Sequence, residues 1–93
     1  SHAILKTPAS GDFRVQEEHG GIITAVTAEE SLLNAGRRAL DALPVIPLYA
    51  RVDLVRNDED FAIMELELIE PSLYLRMHPD APARFADALA SVL

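Results

Sequence analysis

Two short alternating runs on either side of a polar turn constrain this chain more than anything else in it. The first is Ala50-Arg51-Val52-Asp53-Leu54 and the second is Met64-Glu65-Leu66-Glu67-Leu68. Side chains two apart on a strand share a face. Arg51 and Asp53 therefore point one way, with Ala50, Val52 and Leu54 pointing the other. Glu65 and Glu67 likewise share a side, opposite Met64, Leu66 and Leu68. Between the runs, Asn57-Asp58-Glu59-Asp60 reads as a turn. A hairpin folded about Glu59 sets Asp53 opposite Glu65 and Arg51 opposite Glu67. Carboxylates directly across a ladder repel each other, so this arrangement calls for a cation between them. Oxygen-only, carboxylate-rich donors suit magnesium or manganese better than zinc.

The rest of the chain fits around that hairpin. Ala3-Ile4-Leu5 reads as the end of a strand, stopped by Lys6-Thr7-Pro8. From Asp12 the pattern alternates, with Asp12, Arg14 and Gln16 on one face and Phe13 and Val15 on the other. His19-Gly20-Gly21 supplies a reversal, and the β-branched run Ile22 to Val26 reads as a strand. A hairpin of these two segments would present Asp12, Arg14 and Gln16 on one surface. Thr27-Ala28-Glu29-Glu30 has the spacing of a capping box, with Thr27 as N-cap. The helix after it carries Leu32, Leu33, Gly36, Ala39, Leu40 and Leu43 at helical spacing and ends at Pro44. Leu48 to Val55 and Phe61 to Ile69 form the carboxylate hairpin, and Pro71 to Pro79 is irregular. Asp80 caps a last helix with Pro82 in its first turn and Phe85, Leu89 and Val92 on its apolar stripe. Leu32, Leu33, Leu40, Phe85 and Leu89 read as core. The order predicts an α+β fold, a largely antiparallel sheet with two amphipathic helices.

At 93 residues there is room for one domain with a modest core. Cysteine is absent, which removes disulfides and thiolate chemistry. There is no run long enough to span a bilayer and no signal-peptide pattern, which fits a cytoplasmic protein. With 15 acidic residues against 8 basic ones the net charge is −7. Such a chain has no electrostatic reason to hold nucleic acid or an anionic membrane, and a polyanion such as ATP would need bound cations to help hold it.

Several of these segments, in order, resemble the C-terminal part of an ATP-grasp ligase. They are Gly11-Asp12-Phe13-Arg14, Gly20-Gly21, the helix from Ala28, Arg51-Val52-Asp53 and Glu65-Leu66-Glu67. The likeness is to ligases of the glutathione-synthetase and ribosomal-protein glutamate-ligase kind. A bacterial branch used in amino-acid-derived antibiotic biosynthesis is nearer still, through Ser1-His2-Ala3, Phe13-Arg14-Val15-Gln16 and Glu67-Leu68-Ile69-Glu70-Pro71. The resemblance implies an ATP-dependent carboxylate–amine ligase that forms an amide through an acyl-phosphate and releases ADP. It also implies ATP and Mg2+ (or Mn2+) as cofactors and small amino acids or peptides as substrates. On it, Asp53, Glu65 and Glu67 hold the metals, and Arg51 stabilises the transferring phosphoryl group or the tetrahedral intermediate. Arg14 lies near the phosphates or acyl-phosphate, Lys6 contacts the γ-phosphate, and Asp12 belongs to the cofactor-binding strand. Two positions depart from the pattern: Glu67 stands where an Asn is usual, and Gln16 where an Asn is common.

The resemblance covers the last portion of a longer domain, and the adenine-binding and pre-ATP-grasp parts lie upstream of anything in residues 1–93. The chain alone is therefore expected to be inactive, and, with surfaces meant for a missing lobe, to self-associate as a homo-oligomer. The competing reading is a small acidic α+β interaction domain whose carboxylate hairpin is structural, with Arg51 paired to Glu67. For a metal site, Asp53→Asn or Glu65→Gln should abolish turnover and leave the fold intact or stabler. His2, His19 and His78 have no ligand spacing, and Ser72 lacks a companion base for nucleophilic work.

Overall fold

A computed structural model describes residues 2–8, 10–11 and 20–93. Strand β1 (Ala3–Thr7) pairs antiparallel with β2 (Ile22–Val26), Ile4 opposite Ala25 and Lys6 opposite Ile23. Sequence reading stopped the first strand at Leu5. The ladder carries it to Thr7 because β-branched Ile23 and Ile22 pair with Lys6 and Thr7. Pro8, which has no N–H to donate, then ends it. The expected strand 12–16, with Asp12, Arg14 and Gln16, lies outside the described residues. Gly20 enters β2 at φ 81°, a left-handed turn that glycine adopts without strain.

Helix α1 spans Glu30–Asp41. Its N-cap is Glu29, with extended ψ of 160°, and no side chain caps it, so the Thr27–Glu30 box does not form. Glu29 is turned instead to an ion pair with Arg56. The hairpin that follows is β3 (Arg51–Asn57) and β4 (Asp60–Glu67). Asp58 and Glu59 make its turn, Asp58 at φ 56°, a region Asp tolerates better than most residues. The Asp60 carboxylate accepts a 2.8 Å hydrogen bond from the Phe61 amide at the start of the return strand.

The hairpin has a bulge. Asp53 pairs with Glu65, but Leu54 pairs with Ile63, which leaves Met64 without a partner and 70% exposed. The extra residue resets the alternation. Phe61 and Ile63 come round to the same side as Leu66, and all three line a cleft against Ala35, Ala39, Ala42 and Leu43 of the helical layer. In strict alternation they would have stood beside Glu65.

Among the described residues the buried hydrophobic side chains are Ala35, Ala39 and Ala81. The expected core of larger residues is not enclosed: Leu32, Leu33, Leu40 and Phe85 are half-buried and Leu89 is exposed. One helix on a two-stranded hairpin is too thin to surround a leucine. Alanines at the contact let the layers approach closely, and the long side chains sit at the rim. Past β4, a 3-10 turn at Leu75–Met77 interrupts the expected irregular segment, with Tyr74 before it at φ 50°. Asp80 occupies the N-cap position of α2 (Ala81–Ala90) but makes no side-chain cap hydrogen bond, its carboxylate lying 3.7 Å from Arg84 instead; a proline stands in the first turn as expected, and the Phe85 ring lies tilted against Tyr49 at 5.9 Å. Among the described residues all pairing is antiparallel, but the strands form two sheets, β1–β2 and β3–β4. No helix among the described residues is long and apolar enough to cross a membrane.

Candidate functional site

The register of β3 and β4 puts Arg51 opposite Glu67 and Asp53 opposite Glu65, on one face. The polar groups meet on the guanidinium. Arg51 Nε donates to Asp53 Oδ1 at 2.8 Å and Nη2 donates to Asp53 Oδ2 at 3.1 Å, a bidentate pair. The same Nη2 lies 3.3 Å from Glu67 Oε1 and 3.5 Å from Glu65 Oε2. Nη1 reaches the Ser72 carbonyl at 3.5 Å.

Lys6 arrives from the other sheet. Because β1 runs through it, its side chain shares a face with Ile4, and Nζ lies 3.6 Å from Asp53 Oδ2. The ammonium also sits 5.2 Å from the centre of the Tyr74 ring, within cation–π range. His2 Nε2 donates to the carbonyls of Leu73 and Tyr74, each at 3.0 Å, so residues 72–74 are tied to both sheets.

Burial works against the charge of Arg51, but the Asp53 hydrogen bond and the Asp53 and Glu67 carboxylates outweigh it and hold its pKa above the ordinary arginine value. Glu65 is also pushed up, which for a carboxyl favours the neutral form. Hydrogen bonding and repulsion from Glu67 raise its pKa, and the nearby Arg51 only partly offsets them. Among the described residues, three carboxylates thus share two cations, Arg51 and Lys6, with one negative charge left over.

Of the residues singled out in the sequence, Arg51, Asp53, Glu65, Glu67 and Lys6 come together here; Asp12 and Arg14 lie outside the described residues. The donors suit a hard cation in chemistry, since all three offer only oxygen. In their present arrangement Arg51 stands among them, and no group of three acidic or histidine side chains among the described residues is placed to hold a metal ion. Tyr74 and the Ser72 carbonyl escaped sequence reading. Ser72 contributes through its backbone rather than its hydroxyl, and the left-handed turn at Tyr74 has no glycine to betray it.

No family model matches the chain, and no solved structure matches it. It is 40% identical over 83 residues to the cycloserine biosynthesis protein DcsG of Streptomyces lavendulae. The match takes in 88% of this chain and 27% of that protein, so the chain spans about a quarter of its relative's length.

Proposed function

We propose that this chain is the metal- and phosphate-facing part of an ATP-dependent carboxylate–amine ligase, within a longer protein. The observation that carries the reading is the one strand face on which Arg51 and Lys6 meet Asp53, Glu65 and Glu67. The likeness to a cycloserine biosynthesis protein supports a biosynthetic setting; on this reading the substrates are small amino acids or peptides. In this reading the substrate carboxylate takes the γ-phosphoryl group of ATP, releasing ADP, and the amine displaces phosphate to leave an amide. Magnesium, when bound, neutralises charge on the terminal phosphates during transfer.

The chain's own residues have separate tasks. Asp53, Glu65 and Glu67 would supply the oxygen ligands. Lys6, braced by the Tyr74 ring, would meet the γ-phosphate. Arg51 stabilises the negative charge that develops on the phosphoryl group and then on the tetrahedral intermediate.

The test is magnesium-dependent release of ADP by the longer protein, given ATP with pairs of amino acids. Glu67→Gln should lower it by about 100-fold while circular dichroism is unchanged, and the 93-residue chain alone should release none. Full activity in Glu67→Gln overturns the assignment. One observation favours a second reading, a structural hairpin in an acidic interaction domain: Arg51 already has all three carboxylates as partners. That reading predicts loss of fold, with no magnesium-dependent turnover to lose.

A further inference from the structure

We infer that His2 is a positioning residue for Lys6: it holds Tyr74 in a left-handed turn, and that turn sets the Tyr74 ring against the Lys6 ammonium. What Lys6 then meets, a γ-phosphate, rests on the ligase reading; the clasp of His2, Tyr74 and Lys6 does not. An aromatic residue at φ 50° is sterically disfavoured and persists only where its surroundings hold it. The Met77 amide donates to the Tyr74 carbonyl at 2.9 Å, a bond local to the 3-10 turn. His2 supplies the hold from outside the turn, with Nε2 donating to the Leu73 and Tyr74 carbonyls at 3.0 Å each.

His2 stands immediately before β1, and the strand's alternation puts it on the side of Ile4 and Lys6. One strand thus grips one residue twice. His2 takes the Tyr74 carbonyl, and Lys6, four positions on, takes the ring, with Nζ 5.2 Å from its centre. His2 is itself oriented: its ring lies 6.1 Å from that of His78, whose Nδ1 accepts the Asp80 amide hydrogen at 3.1 Å.

Lys6 needs such a hold because its four-carbon stem is flexible. Asp53 Oδ2, 3.6 Å from Nζ, sets one direction, and the Tyr74 ring sets the other. Without the His2 donor, Tyr74 relaxes out of the left-handed region, its ring leaves Lys6, and Nζ swings about the Asp53 carboxylate. The charge on Lys6 stays and its place is lost. An ammonium fixed beforehand stabilises developing charge without reorganising, so the loss falls on kcat rather than on KM.

The experiment compares His2→Gln, which keeps an N–H donor, with His2→Phe, which keeps a ring against His78 and cannot donate. In the 93-residue chain, proton NMR reads the Lys6 ε-methylene, which the Tyr74 ring shifts upfield. That shift should survive in His2→Gln and largely vanish in His2→Phe. In the longer protein, release of ADP from ATP should keep its kcat in His2→Gln and fall about tenfold in His2→Phe, with KM for ATP within about twofold. Should His2→Phe fail to fold, the unsubstituted chain decides: the His2 Nε2–H should be protected from exchange with water and the Lys6 methylene shifted upfield, and failure of either overturns the clasp. An unmoved methylene or an undiminished kcat in folded His2→Phe overturns the positioning role and leaves the ligase reading standing. No ADP release by the unsubstituted longer protein overturns the ligase reading, while the methylene shift still decides the clasp.

Discussion

Of the carboxylates around Arg51, Asp53 takes both short hydrogen bonds and the contact from Lys6, while Glu65 stands exposed beside Glu67 with its pKa pushed up. Substitutions at the two should part company. Asp53→Asn strips the bidentate partner from a half-buried guanidinium and should cost about 1–2 kcal/mol, read as a lower urea midpoint, which reverses the intact or stabler fold that the sequence alone predicts for it. Glu65→Gln removes a repelling charge and should leave the midpoint equal or higher at neutral pH. A carboxyl whose folded pKa is raised binds its proton more tightly in the folded chain. Its contribution is full below the ordinary value of 4.5 and is lost as pH rises through the raised value. Glu65→Gln should therefore flatten the decline in stability between pH 4.5 and neutrality. Asp60 has the opposite sign: the Phe61 amide lowers its pKa, and its contribution fades as pH falls below 3.8. That Arg51, Asp53, Glu65 and Glu67 share a face was legible in the sequence because the strand period is two. Which carboxylate would own the guanidinium was not, since that depends on rotamers and distances.

At the scale of elements, the bulge at Met64 lets one strand serve two faces that disagree in period. Deleting Met64 forces a choice between Phe61 and Ile63 on α1 and the carboxylates on Arg51. It should cost about 2 kcal/mol or more, whereas Met64→Ala should stay within about 0.5 kcal/mol; urea denaturation of both variants checks this. Alternation read Met64 as the apolar partner of Leu66, because a bulge leaves no mark when the inserted residue is itself apolar. The helices were legible from their periodicity, yet of the residues they bury only Ala39 stood on the stripe read from the sequence. Leucines mark a stripe strongly, and the contact fell on Ala35 and Ala39 because the layer beneath is only two strands wide. The Thr27 box misled for a different reason. The ion pair with Arg56, distant in sequence, holds Glu29 at the helix start.

The whole molecule is open. Its accessible surface is 6844 Å2, against about 5,300 Å2 for a compact chain of this mass. Its radius of gyration is 14.1 Å, against about 12 Å for a compact domain of this length. Val45, Ile46, Met64 and Ile69 are largely exposed, and among the described residues each strand of both sheets is an edge. We propose that the isolated chain self-associates through these surfaces. Sedimentation should show dimers or larger species that grow with concentration, and a clean monomer throughout would refute it. The ties from His2 to Leu73 and Tyr74 span 71 and 72 positions of sequence, and they bear on the order of synthesis. As the chain leaves the ribosome, β1 and β2 can pair early, but the strand bearing Lys6 gains its last anchor only after Tyr74 has emerged. The polar site is thus among the last features a nascent chain completes, and a translational pause before residue 74 would leave Lys6 and Arg51 waiting on separate sheets.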